Sequence, residues 1–249
     1  MENSLLANRI SDAVYNARER YMSFTLGFCD EKEQCEITEV LKSLAFHDYM
    51  FWGGYNDAER KCLGIFPDTP NRENFPISFL KFTADKFSSL SHRDCMGAIL
   101  GCGVKREILG DIVLTDDKTA FAAIYDEDNM AQYLCGAVSK IGRATVKCTL
   151  MPEGFVPDIQ RKFENISFTV SSIRLDSVVA GAVHASRSGA VSLISEGKVT
   201  LNHNTATRPD ISLKPGDVFS VHKKGKFIFE QNGGLTKKDK IRINLKKYL

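Results

Sequence analysis

The sequence predicts an α+β fold in three consecutive parts, and three observations support it. Strand-like and helix-like patterns follow one another in the order β-α-β-β-α-β through the middle of the chain. Turn-rich stretches, Pro67–Asn74 and Met151–Asn165, interrupt the patterning on either side of that block. The charge is also uneven: residues 171–249 hold 14 Lys+Arg against 6 Asp+Glu, a balance of +8, leaving −6 on residues 1–170 under a net charge of only +2. The expected parts are an N-terminal α+β region (1–70), a middle module (75–152) and a basic C-terminal domain (171–249).

With 249 residues, 43% of them hydrophobic and 26% charged, the chain has enough apolar surface for a proper core. No run of 18 apolar residues occurs and no basic start leads into an apolar core, so neither a membrane span nor a signal peptide is expected, and the location expected is cytoplasmic. The seven cysteines are an odd count without C-x-x-C spacing, which predicts free thiols rather than a metal site.

In the N-terminal region, Leu5, Leu6, Ile10, Val14 and Tyr15 recur at helical spacing from Asn3 to Tyr21. A second helix is predicted from Asp30 to Leu44, with Asp30 as cap and Glu33 at the third position. Two strands, Phe46–Trp52 and Arg60–Phe66, flank the turn-rich Gly53–Ala58. The middle module then reads as a strand (Ile77–Thr83), a helix (Ser91–Cys102), two strands (Asp111–Thr115 and Thr119–Tyr125), a helix (Asp128–Lys140) and a strand (Ala144–Leu150). That order is the ferredoxin-like plait, shared by RNA-recognition modules and many unrelated proteins.

Phe121 and Tyr125 lie four apart on one face of the third strand, but the basic and glycine residues of an RNA-recognition signature are missing, so core packing is the expected use of these rings. Ser91-His92-Arg93-Asp94 superficially resembles a catalytic triad. Triads are assembled from separate segments, whereas S-x-x-D is the spacing of a helix cap, and the cap is the prediction here. His92 and Arg93 then stand in the first turn of a helix, where an anion is favoured. Lys105 and Arg106 sit in a glycine-bearing loop without the spacing of a nucleotide-binding loop. These four cations are candidates for an auxiliary RNA-backbone contact, a solvated loop being the plain alternative.

The C-terminal domain opens at Arg174-Leu175-Asp176 with a helix whose apolar stripe is Leu175, Val178, Val179 and Val183. A second helix, Ser188–Ser195, turns Ala190, Val191, Leu193 and Ile194 inward, with Ser186 as N-cap and Gly197 as stop. Lys198–Asn202 alternates as a strand, Leu213–Asp217 makes a turn, and Val218–Val221 closes the pattern. Arg174-Leu175-Asp176, Ser186-Arg187-Ser188 with Ala190, Leu193-Ile194, Gly197-Lys198-Val199, Asn202 and Pro215-Gly216-Asp217 together resemble the S4 (alpha-L) RNA-binding domain. Phe51–Tyr55 with Ala58-Glu59-Arg60, Leu90–Asp94, and Gly103–Glu107 with Gly110-Asp111-Ile112 are similar to the bacterial YlmH family, so the resemblance covers essentially the whole chain.

The resemblance implies a non-catalytic protein, without cofactor or small-molecule substrate, that binds structured RNA. It further implies ribosomal RNA and tRNA as partners on the large ribosomal subunit, in ribosome-associated quality control of stalled peptidyl-tRNA. Arg174 and Arg187 are the implied RNA contacts, accompanied by Ser186, Ser188, Lys198 and Asn202. The inter-helix turn is less basic than in the heat-shock relatives, so Lys223, Lys224 and Lys226, and the tail residues Lys237, Lys238, Lys240 and Arg242, are expected to add phosphate contacts. Two other classes stay open: an RNA-modifying enzyme of the pseudouridine-synthase or methyltransferase kind, whose Arg-Leu-Asp motif Arg174–Asp176 superficially copies, and a protein scaffold.

Overall fold

Ile10, Val14 and Ala17 share one face of α1 (Glu2–Arg20) and are buried against β1 (Phe24–Cys29), α2 (Glu31–Ser43) and the strands β2 (Tyr49–Trp52) and β3 (Lys61–Ile65). Asp30 caps α2 as the sequence predicts, with Asp30 Oδ1 accepting from Glu33 N (2.9 Å) and Glu33 Oε2 accepting from Asp30 N (2.7 Å). The sheet order is β1-β3-β2, all antiparallel. β1 is absent from the sequence prediction: its last four residues are all buried, so it shows no alternation by which a strand is recognised. The computed structural model describes residues 2–157, 163–202, 204–235 and 240–248.

The plait follows as β4 (Ile77–Ala84), α3 (His92–Leu100), β5 (Leu109–Leu114), β6 (Thr119–Tyr125), α4 (Met130–Ala137), β7 (Lys140–Ile141) and β8 (Ala144–Leu150). The sheet order β5-β6-β4-β8-β7 is that of a ferredoxin-like fold with a short edge strand added. Both helices lie over Leu80, Phe82, Ile112, Ala122 and Ile124 on one face. α4 starts later than the predicted Asp128, because Asp128 and Asn129 take left-handed φ angles of 56° and 58°. It stops at Ala137, so that Lys140 belongs to a strand rather than to the predicted helix.

The N-terminal region and the plait form one compact unit, Met1–Ile159. Phe28, Tyr55, Cys62 and Phe66 from the first share a buried cluster with Phe79, Ala123 and Tyr125 from the second. Asp111 pins the two together: it accepts hydrogen bonds from the Tyr55 hydroxyl (2.8 Å), Glu59 N (2.7 Å) and Arg60 N (3.0 Å). The Arg60 guanidinium in turn donates to the carbonyls of Leu109 (3.0 Å) and Phe28 (2.7 Å). Gly54, with φ +90° and a Phe79 ring carbon 2.7 Å from where a Cβ would stand, is required by this joint.

The second unit, Gln160–Leu249, is built on β9 (Phe163–Val170), α5 (Leu175–Ala182), α6 (Arg187–Ser195), β10 (Val199–Leu201), β11 (Asn204–Thr205), β12 (Val218–Val221), β13 (Gly225–Leu235) and β14 (Ile241–Tyr248). The strands form one antiparallel sheet in the order β11-β10-β12-β13-β14-β9. Leu175, Val178 and Val179 are fully buried with Phe219, Phe227, Phe229, Ile243 and Leu245; each buried aliphatic side chain contributes roughly 1.5–3 kcal/mol. α6 buries Ala190 and Ile194 and packs the half-buried Leu193 beside them. Val191, expected inward, is 36% exposed, since a helix of nine residues lying on a sheet buries only a narrow i, i+4 stripe. The end of the predicted linker and the lysine-rich tail supply β9, β13 and β14.

Candidate nucleic-acid interface

Arg174 occupies the N-cap position of α5 and Asp176 sits in its first turn, while Arg187 opens α6. The turn between the helices brings the two arginines to one point. α5 ends on His184 in the left-handed region (φ 51°), with Ala185 N donating to Ala180 O (2.9 Å), so the chain reverses at once. Ser186 then caps α6, its hydroxyl accepting from Gly189 N (3.0 Å) and lying 3.0 Å from the Ser188 hydroxyl.

Asp176 is only 2% exposed, yet it is charged, because both arginines converge on it. Arg174 Nε and Nη2 donate to its two oxygens at 3.2 Å each, and Arg187 Nε donates to Oδ2 at 3.1 Å. Ser177 N adds a bond of 2.8 Å. Burial alone would raise the Asp176 pKa, but the hydrogen bonds from Arg174 and Arg187 outweigh it and hold the carboxyl below its ordinary value. The guanidinium groups themselves stay partly in water, at 39% and 57% side-chain exposure. One buried anion therefore orients two exposed, planar, multidentate cations, an arrangement matched to phosphate oxygens. The first N–H groups of α5 do not form a separate anion site, since Leu175 N and Asp176 N donate to the carbonyls of Ile211 (2.8 Å) and Pro209 (3.0 Å).

The other predicted residues fall into separate places. Lys198 follows the Gly197 stop (φ 69°), pairs with Glu196, and lies beside the turn holding Lys223 and Lys224, because His222 N donates to Lys198 O (2.9 Å). α6 separates Lys198 from Arg187 by roughly 15 Å at 1.5 Å per residue. Lys223 and Lys224 are exposed, and Lys226 stands with its ammonium 5.2 Å from the Tyr248 ring centroid. The Asn202 side chain is occupied by the turn, with Nδ2 donating to Asp217 Oδ1 (3.0 Å) and Oδ1 accepting from Val218 N (3.0 Å). In the tail, Arg242 is exposed on β14, and Lys237 and Lys238 lie outside the described residues.

In the first unit His92 and Arg93 are exposed at the start of α3, as expected. Ser91 caps that helix, accepting from Asp94 N (3.1 Å) and donating to Asp94 Oδ2 (2.7 Å), which is the cap geometry and not that of a triad. Lys105 is 83% exposed. Arg106 is tied down: its guanidinium donates to Leu109 O (2.6 Å), and burial, together with the charge of Arg60, lowers its pKa. Among the described residues no three His, Cys, Asp or Glu side chains are grouped as a metal site requires, and no described helix is long and apolar enough to cross a membrane.

Comparison with known proteins agrees with this layout. Residues 173–219 match the S4 domain family model, and residues 70–153 match the model described as "Putative RNA-binding domain in YlmH". A Bacillus subtilis protein named "Ribosome-associated protein quality control protein P2" is 32% identical over 235 residues, which is 92% of this chain and 89% of that protein. The chain belongs to the YlmH family. A solved structure, "Cell division protein ylmH from Streptococcus pneumoniae", is similar in fold, with a TM-score of 0.51 at 18% identity, over 61% of this chain and 92% of that one.

Family membership gives the joint in the first unit a clearer meaning. The residues on which the YlmH resemblance of the first half rests include Gly54, Tyr55, Arg60 and Asp111, and these are the ones that weld the N-terminal region to the plait. Asp176 is the residue whose role sequence reasoning missed. It stood in the motif, but nothing local shows that a carboxylate in a helix's first turn gathers an arginine from 11 positions further on.

Proposed function

We propose that the chain is a non-catalytic RNA-binding protein of the cytoplasm. In this reading it grips structured RNA on the large ribosomal subunit, including subunits that hold peptidyl-tRNA, and acts in quality control of stalled translation. The observation that carries it is the fork of Arg174 and Arg187 on buried Asp176, in a domain with 14 basic against 6 acidic residues. The name of the Bacillus subtilis relative supports the ribosomal setting. Lys198, Lys223, Lys224 and Lys226 add phosphate contacts that strengthen binding without reading sequence, while Ser186, Ser188 and Asn202 hold the turns that present them. His92, Arg93 and Lys105 are secondary contacts, and Arg106 steadies their loop.

The geometry weighs against the enzyme alternative. An Arg-Leu-Asp nucleophile needs an accessible carboxylate, whereas the oxygens of Asp176 are buried and bonded to both arginines. For a test, Arg187→Ala should weaken co-sedimentation with large subunits by about tenfold, the effect of losing one charged contact worth 1–3 kcal/mol. Its far-UV circular dichroism should stay unchanged. Undiminished co-sedimentation would remove the fork from the interface.

A further inference from the structure

We propose that the open face of the plait sheet is a binding site for single-stranded RNA, an inference that rests on the reading of the chain as RNA-binding and adds a second, chemically different site to it. Side chains alternate across a strand, so the register states which of them share this face. Val113, Phe121, Lys81 and Thr149 stand abreast on β5, β6, β4 and β8. The next row is Thr119, Thr83 and Lys147.

The N-terminal region covers only one end of this face. Phe79 and Tyr125 are buried there, with the Tyr125 hydroxyl 2.8 Å from that of Thr25. Beyond that cover, Thr83, Thr145, Lys147 and Thr149 are exposed and line a shallow depression with Lys81 and Met151. Met151 also borders a second depression, which contains Phe155, Trp52 and Arg72. The two depressions share Met151, and Phe155 of the second stacks on Phe121 with ring centroids 5.5 Å apart and planes at 24°. The Lys81 ammonium lies 5.9 Å from the Phe121 centroid, and the Arg72 guanidinium lies 4.3 Å from that of Trp52.

This is a track with two chemistries. Its first half presents lysines and hydroxyls suited to phosphate and ribose. Asp85, at the border, already accepts from Phe87 N (2.9 Å) and from the Ser88 hydroxyl (3.0 Å). Its second half presents aromatic and guanidinium faces, with Glu73, Asp126 and Glu153 around them, which disfavours phosphate there and favours bases. Bases stacked on aromatic side chains gain about 1–3 kcal/mol each, and only an unpaired strand offers its base faces in this way. The track is thus matched to a short single strand and not to a duplex.

The test uses the intact chain and two probes, an RNA hairpin and an oligouridine of about twelve nucleotides, a length within the range that OB-fold single-strand-binding domains cover. Lys81→Gln combined with Lys147→Gln should lower oligouridine affinity about tenfold or more and leave hairpin affinity unchanged, and Arg187→Ala should do the reverse. Trp52 is the one tryptophan, so oligouridine should quench the intrinsic fluorescence of the wild type and the hairpin should not. Absent oligouridine binding, equal affinity of the lysine variant, or loss of oligouridine binding through Arg187→Ala would each overturn the sheet site. Hairpin binding that Arg187→Ala does not alter would instead sink the reading of the C-terminal domain. Unchanged far-UV circular dichroism at the assay temperature excludes misfolding as the cause, although Arg187→Ala, which removes one partner of buried Asp176, should melt somewhat earlier than the wild type.

Discussion

Asp176 concentrates the physics of the proposed interface in one side chain. A carboxylate this deeply buried is tolerated because two guanidinium groups and a backbone N–H meet its oxygens. Asp176→Asn removes the charge while keeping the size, and should cost about 1–3 kcal/mol at neutral pH, less than for a wholly buried pair because both arginines remain partly hydrated. The folded-state pKa is lowered, so this stabilisation is present above the ordinary carboxylate range and disappears as pH falls through the folded value. Chemical unfolding at a series of pH values below about 4 should show a steeper loss for the wild type than for the variant. Parallel slopes would refute it. The places of Arg174 and Arg187 at the starts of two helices of a recognisable motif were readable in advance. The occupation of Arg106 by the Leu109 carbonyl, and of Asn202 by the Asp217 carboxylate and Val218 N, was not, because hydrogen-bond partners depend on how a loop closes.

At the scale of elements, caps and stops were the most legible features. Asp30, Ser91, Ser186 and Gly197 do what their residue types predict, since each acts on backbone groups within one turn. Strands β1, β9, β13 and β14 were not read, although alternation of Phe227 with Phe229 and of Ile241, Ile243 and Leu245 was available as a signal. β9 matters for the interface because it supports α5: a Cβ at Gly181 would stand 2.1 Å from the Phe168 ring. Gly181→Ala should therefore destabilise the C-terminal unit by about 1–3 kcal/mol in urea denaturation. Adding Phe168→Ala should make the combined loss smaller than the sum of the single losses. Strict additivity would show that the ring does not press on the helix.

For the molecule as a whole, the separation of charge is the property that reaches function. The +8 balance beyond residue 170 means that RNA affinity should fall steeply between about 50 and 200 mM salt, by orders of magnitude for several phosphate contacts. In log–log form, Arg187→Ala should reduce the slope by about 1, since one ion contact is lost. A flat salt profile would exclude phosphate as the main ligand.

The order of the plait strands, the helix caps, the basic third of the chain and the membership of Arg174 and Arg187 in a recognisable motif all follow from the residues alone. They depend on periodicity, on contacts within a few positions, or on composition. The joining of the N-terminal region to the plait through Tyr55, Arg60 and Asp111, the half-open sheet face, and the gathering of both arginines on Asp176 appear only once the chain is folded. Each depends on groups brought together across a turn or from dozens of positions away, and the packing of apolar surfaces sets those meetings with no local trace.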